Sequence, residues 1–209
     1  MRGAGAALLK SEREQRASET CFKAPLLDRL LDLVEVPSRQ VVLDLGGPSQ
    51  ALLDRLSATR PCRVEIADFV ARDALRLADV DEDAGPAWID AALPAPNAEP
   101  LNLIFCWDLP NYLSLHAFRE LTGVFGKRAA AGCKLHMLIA YSKREMPATP
   151  ARYRIREDGQ LIQRLANDEL APAPRYSPED LGLAVGGFRY ERGVLLANGM
   201  QEFVYAWPK

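Results

Sequence analysis

Paired cysteines are missing from this 209-residue sequence: Cys21, Cys62, Cys106 and Cys133 stand far apart, with no C-x-x-C spacing. That excludes a zinc ribbon and a redox dithiol, and it leaves buried free thiols acting as small hydrophobes in a reducing compartment. Histidine is scarce, with only His116 and His136, and no metal site is expected. A surplus of positive charge is lacking too. Lys and Arg total 26 against 28 for Asp and Glu, a net charge of -2, so there is no general nucleic-acid footprint. No apolar run approaches a membrane span. The stretch from Ala4 to Leu9 is too short for a signal core and runs into Lys10-Ser11-Glu12-Arg13-Glu14 without a small-residue cleavage site. The expected location is therefore cytoplasmic. No internal repeat or low-complexity tract appears.

What is present is a chain with 48% apolar residues, enough for one domain with a full core. Residues 1–36 read as a polar N-terminal arm and a cover helix. In that helix, expected from Thr20 to Val34, Leu26, Leu27, Leu30, Leu31 and Val34 recur at three-to-four spacing. The arm is where a second copy or a partner protein would dock. Residues 37–209 read as strands alternating with helices. Strands are expected at Gln40 to Leu45, Arg63 to Ala67, Ala87 to Asp90, Leu101 to Cys106 and Lys134 to Ala140. Helices are expected from Ser49, around Val70 to Ala78, and from Leu115 to Ala131 with Gly132 as C-cap. The continuous apolar run of the fourth strand suits a parallel sheet covered on both faces. A hairpin insertion is expected near residues 152–165 around Asp158-Gly159. Ser177-Pro178-Glu179-Asp180 opens a helix with an N-cap, a proline at the first position and acids in the first turn. Two last strands, Phe188 to Ala197 and Met200 to Trp207, meet at Asn198-Gly199, a two-residue turn that makes the final strand antiparallel.

The chemistry concentrates at Val41-Val42-Leu43-Asp44-Leu45-Gly46-Gly47-Pro48-Ser49-Gln50, where a strand run ends in an acid and a glycine pair before a helix. Glycines at such a turn let backbone approach a ligand, and open α/β sheets bind ligands beyond the carboxyl ends of strands. Asp68 and Asp90 end the next two apolar runs, so three carboxylates would reach one sheet edge. The nicotinamide fingerprint G-x-G-x-x-G is not present.

This pattern, from Val41 to Trp207, resembles the class I S-adenosylmethionine-dependent methyltransferases. The resemblance implies a Rossmann-like α/β sandwich whose mostly parallel seven-stranded sheet has an antiparallel C-terminal strand. It also implies S-adenosyl-L-methionine as cofactor, with S-adenosyl-L-homocysteine as product. Asp44 and Gly46 occupy the first two positions of the family's D-x-G-x-G-x-G, and Gly47 continues the turn; Pro48 and Gln50 replace the later glycines, and proline removes a backbone N–H. Asp68 is similar to the acid that grips the ribose hydroxyls, and Asp90 with Ala91 to the adenine-contacting pair. Trp107, Asn111 and Tyr112 resemble the substrate-facing loop, with Asp108 and His116 as candidate acid or base groups. Carboxylates at Asp44, Asp68, Asp90 and Asp108 would attract a ligand bearing a sulfonium and an amino group and would repel a pyrophosphate.

Local roles remain open at these positions. Asp44 can accept from amides of its own loop, Asp68 can cap the next helix, and Trp107 and Tyr112 can pack beneath a helix. His136, between Leu135 and Met137, reads as a satisfied core histidine. Three functional readings follow: methyl transfer to an unidentified acceptor; a catalytically inactive methyltransferase-like scaffold, which Pro48 and Gln50 motivate; and, disfavoured by the glycine spacing and the terminal hairpin, a nicotinamide-dependent oxidoreductase.

Overall fold

The computed structural model describes residues 19–32, 39–59, 61–70, 87–141 and 144–209. The arm before residue 19, the helix expected beyond Val70 and the acidic turn Asp79 to Gly85 lie outside them. In chain order the elements are β1 (Glu19–Phe22), α1 (Pro25–Asp32), β2 (Gln40–Asp44), α2 (Gln50–Thr59), β3 (Cys62–Ile66), α3 (Ala87–Ala92), β4 (Leu101–Trp107), a 3-10 turn (Leu109–Tyr112), α4 (Leu115–Arg128), β5 (Ala129–Ile139), β6 (Glu145–Pro147), β7 (Arg152–Ile155), β8 (Leu161–Arg164), β9 (Leu170–Pro172), α5 (Pro178–Ala184), β10 (Arg189–Leu195) and β11 (Gln201–Ala206).

The main sheet has six strands in the order β10-β11-β5-β4-β2-β3. Strands β3, β2, β4 and β5 run parallel. β11 is antiparallel to both β5 and β10, as a hairpin requires. The turn is one residue longer than the sequence suggests. Leu196 and Met200 close it, and Gly199 supplies the left-handed residue at φ 81°.

Period-two alternation divides the core between the two faces of the sheet. On β4, Ile104 and Cys106 join Val41, Leu43 and Leu45 under α4 and α5, while Leu103, Phe105 and Trp107 join Val42 under α1 and α2. Fully burying a side chain such as Ile104 contributes about 1.5–3 kcal/mol. The Ser177 cap forms as its residues dictate: its hydroxyl accepts from Asp180 N at 3.1 Å, and Asp180 closes the box on Ser177 N at 2.9 Å.

Four expectations are corrected. Ala87–Asp90 belongs to helix α3, not to a strand, because Trp88, Ile89 and Ala92 bury one helical face; a short apolar run carries no period that separates the two states. The described main sheet accordingly has six strands. Residues 20–22 form β1, antiparallel to β8 of the insertion, and the helix begins only at Pro25. Helix α4 ends at Arg128, so Gly132, at φ 79°, lies inside β5 instead of capping the helix. Finally, Cys106 and Cys133 are buried thiols, but Cys21 is exposed and Cys62 half-buried.

Candidate cofactor site

The chain runs from β2 to β3 on one side of the sheet and returns as β4 on the other, so the carboxyl end of β2 is a topological switch point. Three polypeptide turns meet there. Asp44 ends β2, Asp68 follows β3, and Trp107 ends β4. Asp44 shares with Trp107 the sheet face opposite Leu43 and Leu45. Its Oδ1 accepts from Gly46 N at 2.9 Å and from Trp107 Nε1 at 2.6 Å. Burial raises the Asp44 carboxyl to about 6, against the pull of those two donors.

Gly46 and Gly47 are both required by close approach. A Cβ at position 46 would stand 2.5 Å from Trp107 Cδ1 and Nε1. Position 47, at φ 91°, would bring one within 2.6 Å of Arg152 Nη1 and 2.8 Å of Asp68 Cγ. Arg152, from β7 of the insertion, pairs with Asp68 at 3.1 Å, and the two side chains are 43% and 21% exposed. Trp107 holds a left-handed φ of 53°, the one non-glycine residue with positive φ among the described residues. Its indole stacks with Phe105, at 5.4 Å, and with Tyr153, at 5.2 Å. The turn at the end of β2 is thus lined by two carboxylates and covered by one indole and one guanidinium.

Other expected residues lie outside this turn or are engaged internally. Asp90 and Ala91 sit on the exposed side of α3, which rests Trp88 edge-on against Phe69 at 6.4 Å. Asn111 is wholly used: its amide donates to Asp108 O at 2.8 Å and Leu138 O at 2.9 Å, and its carbonyl accepts from Ala140 N at 2.8 Å. Tyr112 donates to Thr149 O at 3.0 Å. Asp108 is buried and accepts from Ala151 N at 3.1 Å. Burial lifts its carboxyl to about 7, opposed by the Ala151 amide and the Tyr153 hydroxyl. Beside it lies a pocket of about 10 Å³ shared with Asn111, Tyr112 and Gln163, one water's worth of room. These loop residues therefore tie the β6–β9 insertion onto β4 and β5. His116 is exposed on α4, 3.7 Å from Glu120.

His136 is the buried core histidine its neighbours suggested, with Nε2 2.9 Å from Glu202 Oε1. Glu202 also accepts from Leu26 N at 2.9 Å and Leu27 N at 2.7 Å, so one buried carboxylate holds the start of α1. Sequence reasoning missed Glu202 and Arg152. Glu202 left a signal, an acid at an inward position between Met200 and Val204. For Arg152 no local signal exists, because only the insertion's fold brings it to Asp68.

The described sheet, with four parallel strands and an antiparallel last strand, agrees with the fold expected from the resemblance to the class I S-adenosylmethionine-dependent methyltransferases, as a mixed sheet of six described strands. No protein-family model matches the sequence, and no curated protein matches it. Among solved structures, the N-methyltransferase NodS from Bradyrhizobium japonicum WM9, in complex with S-adenosyl-L-homocysteine, is 14% identical, with 88% of this chain and 85% of that chain covered and a TM-score of 0.49. An S-adenosylmethionine-dependent methyltransferase from Clostridium acetobutylicum ATCC 824 is 9% identical, with 88% and 89% covered and a TM-score of 0.45. The glycopeptide N-methyltransferase MtfA complexed with S-adenosyl-L-methionine is 13% identical, with 90% and 95% covered and a TM-score of 0.44. Likenesses this distant carry no functional weight.

Proposed function

We propose that the protein binds S-adenosylmethionine at the carboxyl ends of β2 and β3 and transfers its methyl group to an acceptor. The observation that carries this reading is the meeting of two carboxylates, Asp44 and Asp68, at the Gly46-Gly47 turn of the switch point. Carboxylates there favour a ligand with positive charge, and the Arg152 guanidinium already plays that part against Asp68. The pair is partly exposed and worth only about 0–1 kcal/mol, so a cationic ligand that offers Asp68 better hydrogen bonds can displace it. The cofactor, when bound, supplies a methyl group on an activated sulfonium. What this chain supplies is alignment. Asp68 accepts from the ribose hydroxyls, and the glycine turn gives the backbone room to approach. Asp90 and Ala91, on α3 next to the Phe69 contact, are proposed for the adenine end.

A second reading is favoured by Trp107. Its indole lies on Gly46, donates to Asp44 and is held by stacking against Phe105 and Tyr153. Pro48 further removes an amide from the loop. If that arrangement is permanent, the half of the site next to Gly46 is closed and the domain serves as a non-catalytic binding partner. Calorimetric titration with S-adenosylmethionine, S-adenosylhomocysteine and NAD separates the readings. Heat with the first two and none with NAD supports the cofactor site; no heat with any of them supports the scaffold.

A further inference from the structure

Away from the switch point, among the described residues, α1 leaves part of its sheet face uncovered. The helix is anchored at its start by Glu202, and Leu26 and Leu30 point down onto the sheet beside Val204 of β11. Next to them a groove of about 320 Å³ opens between α1, β5, β11 and the edge strand β10. That volume falls at the lower end of ordinary small-molecule sites. Its floor is apolar, built from Leu26, Leu30 and Val204, and its rim is cationic, with Arg29, Lys134 and Arg192 against a single acid, Glu191. Glu191 is paired with Lys134. Among the described residues Arg29 and Arg192 have no ion-pair partner, so within them Glu191 offsets only Lys134 on this rim.

Register explains the arrangement. Arg192 stands opposite Val204 across β10 and β11, and Lys134 opposite Ala206 across β5 and β11, so strand pairing itself sets these cations around the apolar floor. The occupant is not an added strand. β10 is an edge among the described strands, but its register with β11 shifts at a bulge between Tyr190 and Arg192, and its arginines discourage another chain from joining. Nor does so small a groove admit a helix. From this geometry we propose that the groove binds one molecule of a single-chain amphipathic carboxylate, its tail on Leu26, Leu30 and Val204 and its head between Arg29 and Arg192. This site is independent of the cofactor reading.

The test is calorimetric titration of the full chain with sodium decanoate below its micellar range. Decanol and decyltrimethylammonium serve as neutral and cationic controls, and vesicles of anionic phospholipid as a membrane arm. Decanoate is expected to bind one to one, at least tenfold tighter than either control. The double variant Arg29→Glu/Arg192→Glu, whose substituted side chains are exposed and whose thermal unfolding should be unchanged, is expected to lose at least tenfold. Equal affinity for decanoate and decyltrimethylammonium, several decanoates per chain, binding only to vesicles, or an unaffected double variant would each overturn the proposal.

Discussion

Replacing Trp107 by glycine should leave a more stable protein than replacing it by alanine, the reverse of the usual order. Either change deletes an indole that is 3% exposed and stacked on Phe105 and Tyr153, a loss of about 3–5 kcal/mol for a large buried aromatic. The two variants differ in the backbone. Position 107 has φ 53°, where an L residue with a Cβ is penalised by roughly 1–2 kcal/mol. Glycine escapes that penalty but loses about 0.4–1 kcal/mol more chain entropy on folding. The balance favours glycine by roughly 0.5–1 kcal/mol, whereas inside an ordinary strand glycine is worse than alanine by about that amount. Urea unfolding of the two variants, read as midpoints at equal slope, measures the difference. An alanine variant as stable as the glycine variant would refute the strained conformation at the end of β4.

Three further outcomes follow from the buried acids and the glycine turn. For Asp108, lifted to about 7 by burial, the folded state holds the proton more tightly than the unfolded chain. Its contribution to stability is therefore complete below about pH 4 and lost as pH rises through about 7, a change on the order of 4 kcal/mol. Asp108→Asn should flatten stability between pH 4 and 8, apart from the smaller slope that Asp44 adds up to about 6; thermal melts across that range that match the native protein's would contradict it. Glu202→Ala strands two helix amides and His136, and it should cost about 3–5 kcal/mol with early exchange of the α1 amides. A loss below 1 kcal/mol in urea unfolding would mean that α1 is held by its leucines alone. Gly47→Ala meets both the left-handed φ and the Asp68 carboxylate and should cost at least about 1–2 kcal/mol; an unchanged melting temperature would show that the turn relaxes freely.

Most of the sheet was legible because its strands declare themselves locally. Val41 to Leu45 and Leu101 to Cys106 are continuous apolar runs, and Asn198-Gly199 between two strand patterns can only turn the chain back. Ala87–Asp90 was not legible, since four residues do not define a period, and Trp88 and Ile89 bury equally well from a helix. β1 was hidden for another reason: its exposed Glu19, Thr20 and Cys21 carry no inward pattern, and its partner β8 is distant in sequence. At the site, the acid-glycine turn and Asp68 could be read from residue type and spacing. The covering of that turn could not. Trp107 acts through an uncommon backbone angle and Arg152 through the insertion's tertiary placement, and neither leaves a periodic trace.

The central claim is a cofactor site at the carboxyl ends of β2 and β3, and calorimetry of S-adenosylhomocysteine with the native protein and with Asp68→Ala tests it most directly. The native protein is expected to bind in the micromolar range, about −8 kcal/mol. The variant should be weaker by about 1.5–3 kcal/mol as charge-assisted hydrogen bonds to ribose are lost. Native binding with the same affinity in Asp68→Ala would remove Asp68 from the site, and no binding by the native protein would contradict the cofactor reading and leave the scaffold.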